Sequence, residues 1–523
     1  MIDPKISQVD TGLLVGYFII VLIIGYIFAR RTSTGSDYFL AGNRLRWTAI
    51  GFSLFASNIS SSSIIGLTGQ AYASGISIAN YEWMATLILA FMAVFIIPIY
   101  LKNKIRTVPQ YLELRFSPFI RKYYSFVTIV LTIIVDIASS LFAGALVLNV
   151  FFPEIPIVTA CYVLALISGV YTAAGGLAAV VYTDMLQAII LIIGSCIMLF
   201  AVLGQFDFNW FEAIGQIEEN QKSFIRPLSD ENLPWLGTTL GVPILGFYYW
   251  TTNHYVVQRV LGAQNIPQAQ WGALFAGFLK LTVLFIIVFP GIFSAQLFPD
   301  LEHPDMVYPT MLVNLIPDGV KGIVLAGLIA AIMSSVDSAL NGTSALIVID
   351  FIQPVRKDLT EDQLVKYGRV TTILIMAFAG LWAPLIENFQ GLFNYLQQVL
   401  SFVVPPVVCI FLLGIFWKKG TALAAKNTLI FGHLLSVICL FLVNIGIIKI
   451  HFTIIASLLT LLCMLGFVII SHFSPGKLPG ELQILTWNGQ YTYQPKNYPW
   501  YSQAIFIGIV LTVLTLIIVA IYW

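Results

Sequence analysis

Apolar residues run in blocks of about twenty from one end of the chain to the other, with short polar stretches between them, and about twenty is the length a helix needs to cross a bilayer. By that measure spans fall near 11–29, 46–73, 80–101, 122–150, 157–174, 179–204, 236–259, 271–297, 319–350, 368–386, 391–416, 423–446, 450–471 and 502–522. The pattern predicts an all-α integral membrane protein with about fourteen transmembrane helices. The first block is too long for a signal peptide and lacks a small-residue cleavage site, so it reads as a helix.

Charge alternates between successive loops. Arg30, Arg31, Arg44 and Arg46 follow the first span, and Lys102, Lys104, Arg106, Arg115, Arg121 and Lys122 follow the third. Arg356, Lys357, Lys366 and Arg369 follow the ninth, and Lys418, Lys419 and Lys426 the eleventh. The positive-inside rule turns these loops to the cytoplasm. The intervening loops are acidic: Glu154, then Asp207, Glu212, Glu218, Glu219, Asp230 and Glu231, then Asp300, Glu302 and Asp305. Both termini are therefore expected outside the cytoplasm, in a multi-pass protein of the cell membrane. Composition agrees, since 59% apolar and 10% charged residues leave too little polar surface to clothe a soluble fold. A formal charge of +1 excludes nucleic-acid binding through a basic face. The five cysteines all lie in apolar runs without CxxC spacing, which argues against a disulfide framework or a zinc site. The longest loops hold about thirty residues, too few for a soluble domain with its own core.

Two spans carry polar or glycine-rich backbone where lipid would reject it. Ser57-Asn58-Ile59-Ser60-Ser61-Ser62-Ser63 interrupts the second, while Gly241, Pro243 and Gly246 lead into Tyr248-Tyr249-Trp250-Thr251-Thr252-Asn253-His254 in the seventh. Unwound backbone at membrane depth is tolerated only where it is buried or lines a cavity. Interrupted helices at matching places in two halves point to a transporter's midplane site. Ionisable groups inside spans cost at least about 2.5–3.5 kcal/mol each and are functional candidates. There are five: Glu82, Asp136, Asp184, Lys280 and Asp337. Glu82 also fits a helix-start acid, Asp184 a cap at the start of the sixth span, and Asp136 a buried acid satisfied by Ser139 and Ser140.

In the ninth span Ala331, Ser334, Ser335, Asp337, Ser338 and Asn341 recur at helical spacing and place their oxygens on one face. Hard cations take oxygen ligands. Such a strip, joined by carbonyls of the unwound second span, can replace much of a sodium ion's hydration shell. Hydroxyls that bond back to their own helix are the ordinary alternative.

The chain resembles the sodium/solute symporters, and most closely their sodium/glucose cotransporter branch. The strings that carry the resemblance are Asp37-Tyr38-Phe39-Leu40-Ala41-Gly42, Ala56-Ser57-Asn58-Ile59-Ser60, Tyr81-Glu82-Trp83, Gly175-Gly176-Leu177 with Tyr182-Thr183-Asp184, and Tyr249-Trp250 with Gln258-Arg259. Phe278-Leu279-Lys280-Leu281, Ser334-Ser335, Tyr395-Leu396-Gln397 and Phe416-Trp417-Lys418 complete them. The resemblance implies the inverted five-helix repeats of the leucine-transporter type. It divides the chain into an N-terminal extra helix and cytoplasmic loop (1–45), a first repeat (46–204), an extracellular loop (205–235), a second repeat (236–416) and C-terminal accessory helices (417–523). It also implies a site for co-transported Na+ at the carbonyls of Ala56, Ile59 and Ala331 and the hydroxyls of Ser334 and Ser335. Relatives with a second sodium site match it at Asp184, Ser334, Asp337 and Ser338.

For the solute, Glu82, Lys280 and Gln397 match groups that hydrogen-bond sugar hydroxyls, and Asn58 matches a neighbouring one. Tyr249 matches an aromatic that stacks on the sugar and gates the inner exit, with Trp250 beside it; Ser63 and Asp136 join the candidate lining. Ser63, Ala85 and Gly246 stand where relatives carry larger or more polar residues, which allows a smaller or differently substituted polyol. The expected function is sodium-driven import of a neutral polyhydroxylated small molecule, a hexose or cyclitol, by alternating access. A same-family carrier of an amino acid, vitamin or monocarboxylate is one alternative, and a transporter-like solute sensor is another. An intramembrane enzyme would need an acid, base or metal set such as HExxH, and the sequence has none.

Overall fold

Inside a bilayer no water pairs with backbone N–H and C=O groups, so a crossing chain satisfies them within helices. The computed structural model of the protein describes residues 6–30, 34–388, 392–474, 484–487 and 498–522, and among these helices account for nearly everything and no strand forms. Arg31 and most of the 472–500 stretch lie outside the described residues.

The chain runs through α1 (Gln8–Ala29), α2 (Trp47–Asn58) and α3 (Ser61–Ser74). Next, α4 begins as Asn80–Phe91 and continues through a π-turn at Met92–Ile96 to Ile97–Lys102. α5 joins Pro118–Leu131 to Ala138–Phe151 across a π-turn at Thr132–Ile137. Then come α6 (Ile157–Gly204), α7 (237–252), α8 (His254–Leu261), α9 (Ile266–Leu297), α10 (Lys321–Val355), α11 (Glu361–Trp382) and α12 (Leu392–Phe416). α13 (Ala422–Asn444), α14 (Phe452–Phe473) and α15 (Ala504–Ile521) complete the bundle.

Eleven helices among the described residues are long and apolar enough to cross a membrane. Of the other three expected spans, two are interrupted and one is short. The second breaks at Ile59, the seventh holds only 237–252 before its own break, and 157–174 gives a shorter apolar helix. The last runs into 179–204 without an intervening loop, and one residue, Gly176 (φ 62, ψ −162), separates the two parts. That conformation belongs to glycine. A Cβ there would lie 2.6 Å from the Tyr38 carbonyl oxygen, on the short helix Gly35–Leu40 that docks against the junction. Gly176→Ala is therefore expected to destabilise the protein by ~1–3 kcal/mol, as strain of this kind does. Thermal unfolding of the detergent-solubilised variant against wild type checks it.

The bundle is built around α10. In its most apolar stretch 94% of residues are buried, against 17% in α1 and 22% in α13, so α10 is enclosed by protein while the terminal helices present apolar flanks outward. α6 makes the most extensive contact with α10, and α1, α2 and α11 also pack on it. Asp10 of α1 fastens the start of α10 by accepting from the backbone N–H groups of Gly319 (3.0 Å) and Gly322 (2.7 Å), donors that a helix N-terminus leaves unpaired.

Candidate ion and solute site

The break in α2 follows from its polar run. Ile59 leaves the helix at φ −85, ψ 80, and Ser60 caps the next segment by accepting from the Ser63 N–H (3.1 Å). A helix ending in mid-bundle leaves carbonyls without intrahelical donors. The hydroxyl face of α10 meets them. Ser334 Oγ lies 3.0 Å from the Ala56 carbonyl oxygen and 3.2 Å from that of Ala331, and Ser335 Oγ donates to the Ser57 carbonyl (3.3 Å). Four of the five oxygens expected to hold sodium thus converge on the α2–α10 contact, and Ile59 sits at the break itself, fully buried. The set is neutral and buried, suited to one small hard cation.

A second cluster lies one helical turn further along α10. Asp184, Asp337 and Ser338 are all buried here, and Ser338 Oγ lies 3.3 Å from Asp337 and 3.4 Å from Asp184. Asp184 is well inside α6, not at a helix start where a cap would sit. Ser53 donates to its Oδ2 (2.5 Å), and Ser57 Oγ is 3.2 Å away. The cation among these oxygens is a side chain, Arg259 of α8. Its Nη2 lies 3.3 Å from Asp184 Oδ2 and also meets Ser338 Oγ, while Nε donates to Ser53 Oγ (2.8 Å). The expectation of an ion-accepting second site therefore meets a guanidinium in place. Asp184 Oδ1 remains buried without a hydrogen-bond partner among the described residues.

On the other side of the α2 break is a cavity of about 120 Å³ lined by Asn58, Ser63, Glu82, Asp136, Tyr249, Trp250 and Gln397, with Ser335 at its edge. Lys280 of α9 touches the lining residues Glu82 and Asn58. Helices α4 and α9 approach at Thr86, whose hydroxyl donates to the Gly277 carbonyl (2.9 Å). One turn from each of those residues Glu82 meets Lys280 in an ion pair whose side chains are 10% and 1% exposed. Lys280 also donates to the Asn58 side-chain oxygen and lies 5.8 Å from the Trp250 ring centroid. Every expected solute residue is thus at or beside one cavity.

Two expectations about the lining need correction. Ser139 and Ser140 do not satisfy the Asp136 carboxylate; they donate to the Asp136 backbone carbonyl (3.2 and 2.9 Å), as hydroxyls on a helix commonly do. The carboxylate lies in the cavity lining near the Tyr255 hydroxyl. Nor does the seventh span unwind at Gly241, Pro243 and Gly246. It stays helical through π-turns at Gly237–Gly241 and Tyr248–Thr252 and breaks only at Asn253 (φ −64, ψ 120). Gly241 and Gly246 serve close packing instead, since a Cβ would come within 2.3 Å of the Thr453 carbonyl oxygen and 2.4 Å of Ile88. The π-turn presents Tyr249 to the cavity, where its ring stands edge-on to Trp250 with centroids 5.1 Å apart. Tyr249 Oη donates to the Ser57 carbonyl (3.4 Å) and accepts from Tyr255 (3.2 Å).

Residues 38–432 match the model of the sodium:solute symporter family. The chain belongs to that family. Mouse (Mus musculus) sodium/myo-inositol cotransporter 2 is 35% identical over 482 residues, 84% of this chain and 71% of the relative. Sheep (Ovis aries) sodium/glucose cotransporter 1 is 32% identical over 474 residues, 82% of this chain and 71% of the relative. A substrate-bound, outward-open sodium-coupled sialic acid symporter superposes with a TM-score of 0.80 at 23% identity, covering 91% of this chain and all of that one. Mhp1, of the nucleobase-cation-symport-1 family, gives 0.57 at 12% identity, covering 88% and 99%. The symporter is therefore a multi-pass membrane protein with the leucine-transporter fold, and its family is one of transporters, not enzymes.

Sequence reasoning gives Tyr255 no mention, and Arg259 enters it only in the Gln258-Arg259 string of the family resemblance, without a role in a site. Both lie at the end of the span expected at 236–259, where a cation or a tyrosine ordinarily marks an interface. The four-residue spacing of Tyr255 and Arg259, which puts them on one helix face in a stretch without glycine or proline, is the signal the sequence offers.

Proposed function

We propose that this symporter imports a neutral polyhydroxylated solute, a hexose or a cyclitol such as myo-inositol, using the sodium gradient. One observation carries the reading: the last two residues of α2 face both sites. The Ser57 carbonyl accepts from Ser335 in the oxygen cluster, and the next side chain, Asn58, accepts from Lys280 in the solute cavity. An ion gripping the Ala56, Ile59 and Ala331 carbonyls with Ser334 and Ser335 would hold the broken helix in the shape that completes the cavity. Differential affinity of this kind is what couples two ligands.

The lining suits hydroxyls. Glu82 and Asp136 accept, and Asn58, Gln397 and Ser63 do both, around the apolar faces of Tyr249 and Trp250, while Lys280 pairs with Glu82 and donates to Asn58. A site of buried polar groups rejects analogues that lack the matching hydroxyl, because its own groups are left unpaired. Relatives named for myo-inositol and for glucose support the same class. Residues 46–204 and 236–416 would be the repeats that rock against each other around this midplane site, with both termini outside the cytoplasm. Each sodium crossing ~100 mV releases about 2.3 kcal/mol, and a tenfold ion gradient adds about 1.4. One ion then sustains a solute gradient of several hundredfold.

The test is uptake of a labelled panel into proteoliposomes, with an inward sodium gradient and in potassium-only buffer: hexoses, myo-inositol, an amino acid and a monocarboxylate. Sodium-dependent accumulation of a hexose or cyclitol is expected. Accumulation that is equal in potassium, or confined to the amino acid or carboxylate, would overturn it.

A further inference from the structure

We propose that the preferred solute is a 6-deoxyhexose, a sugar with a methyl group where glucose or galactose has its terminal hydroxymethyl. The inference rests on the reading of this cavity as the solute site, and it narrows the solute class. The cavity has two kinds of wall. Hydrogen-bonding groups reach it from the α2–α3 break, from α5 and from Glu82 in the first turn of α4. One and two turns further along α4 the lining residues are Ala85 and Ile88, and α7, packed against α4, adds Leu245 and Gly246. Leu396 and Leu400 of α12 extend this hydrocarbon surface. The one hydroxyl on that stretch of α4, Thr86, is turned to α9, where it donates to the Gly277 carbonyl (2.9 Å). From Val242 to Phe247, α7 has no side chain that can donate or accept. Gly246 shares a helix face with Tyr249, so a side chain there would enter the cavity. The space is taken: a Cβ at Gly246 would lie 2.4 Å from Ile88 Cδ1, so the isoleucine methyl fills the position.

A hydroxyl set against that wall gives up water without gaining a partner, which is unfavourable. A methyl group set there takes apolar surface out of water, which is favourable. Only the terminal carbon of a hexose can become a methyl group while the ring keeps its hydroxyls for the polar wall. A cyclitol hydroxylated at every carbon, such as myo-inositol, must set a hydroxyl against hydrocarbon. An apolar surface rejects an added hydroxyl by about a hundredfold at most, so the parent hexose should still be carried, at higher concentration.

The measurement is the solute concentration for half-maximal sodium-driven uptake into proteoliposomes, for labelled pairs that differ only at the terminal carbon. The pairs are D-glucose and 6-deoxy-D-glucose, D-galactose and D-fucose, L-galactose and L-fucose, and L-mannose and L-rhamnose, with myo-inositol alongside. In the pair taken up best, the deoxy sugar should half-saturate at about a ten- to hundredfold lower concentration than its parent. Gly246→Ser/Ile88→Val puts a hydroxyl into the wall and, by removing Cδ1, makes room for it, since Ile88 Cγ1 stands 3.8 Å from the Cβ position. In that variant the two sugars should approach parity. Wild type whose paired sugars half-saturate within about twofold of each other, or that takes the parent hexose or myo-inositol better, would overturn the inference while leaving sodium-driven polyol uptake intact. So would a transporting double variant that keeps the full deoxy preference. Because the wild-type comparison decides by itself, a variant that does not fold leaves the test standing. Sodium-driven uptake of none of these sugars and not of myo-inositol would overturn the solute-site reading and this inference with it.

Discussion

Lys280→Ala is expected to abolish solute accumulation, with initial uptake reduced by at least about a hundredfold. Glu82 and Lys280 neutralise each other in a buried wall of the cavity, and Lys280 also orients Asn58 at the end of α2. Removing one partner of a buried ion pair strands the other charge, which costs about 3–5 kcal/mol. The loss falls on binding and on folding together, so the variant is to be read beside Lys280→Ala/Glu82→Gln. The double replacement removes the stranded charge and should recover much of the thermal stability without recovering uptake. Raising sodium should rescue neither. Full uptake by Lys280→Ala would remove any role for the polar cavity in solute binding.

Ser334→Ala is expected to act in the opposite manner, with the loss appearing in sodium dependence and yielding to concentration. Its hydroxyl lies between the Ala56 and Ala331 carbonyls, and a hydrogen-bonding contact to a charged group is worth about 1.5–3 kcal/mol. The sodium concentration for half-maximal uptake should rise by about tenfold or more, while solute affinity measured at saturating sodium changes little. Ser335→Ala, which also faces the cavity, should lose uptake at ordinary sodium concentration. The discriminating measurement is a sodium titration of uptake at fixed, saturating solute. An unchanged titration in Ser334→Ala would place the ion elsewhere.

Much of the site is legible in the order of residues along the chain. The polar run at Ser57–Ser63 conflicts with lipid surroundings so strongly that a helix break has to follow, and it occurs at Ile59. The serine strip of α10 reads from spacing alone, because residues three and four apart share a helix face. The seventh span is less transparent. Glycine and proline signal a break in isolation, but Gly241 and Gly246 lie where neighbouring helices press against the chain, and packing keeps the helix intact. The actual break falls at Asn253, at the far end of the polar stretch Thr251-Thr252-Asn253-His254 that follows them. Asp136 misleads for a similar reason: hydroxyls one turn away can bond either the side chain or the backbone, and helix geometry favours the backbone.

The amino-acid sequence alone determines that this is a helical membrane protein of the symporter family, which spans are interrupted, and which charges must be buried, since lipid penalises each of those choices residue by residue. Which buried charge meets which is decided only by the tertiary structure. Arg259 reaches Asp184, seventy-five positions away, only because α2, α6, α8 and α10 cross at one place. The partner of a buried ion is a property of how helices pack, and local spacing carries no record of it.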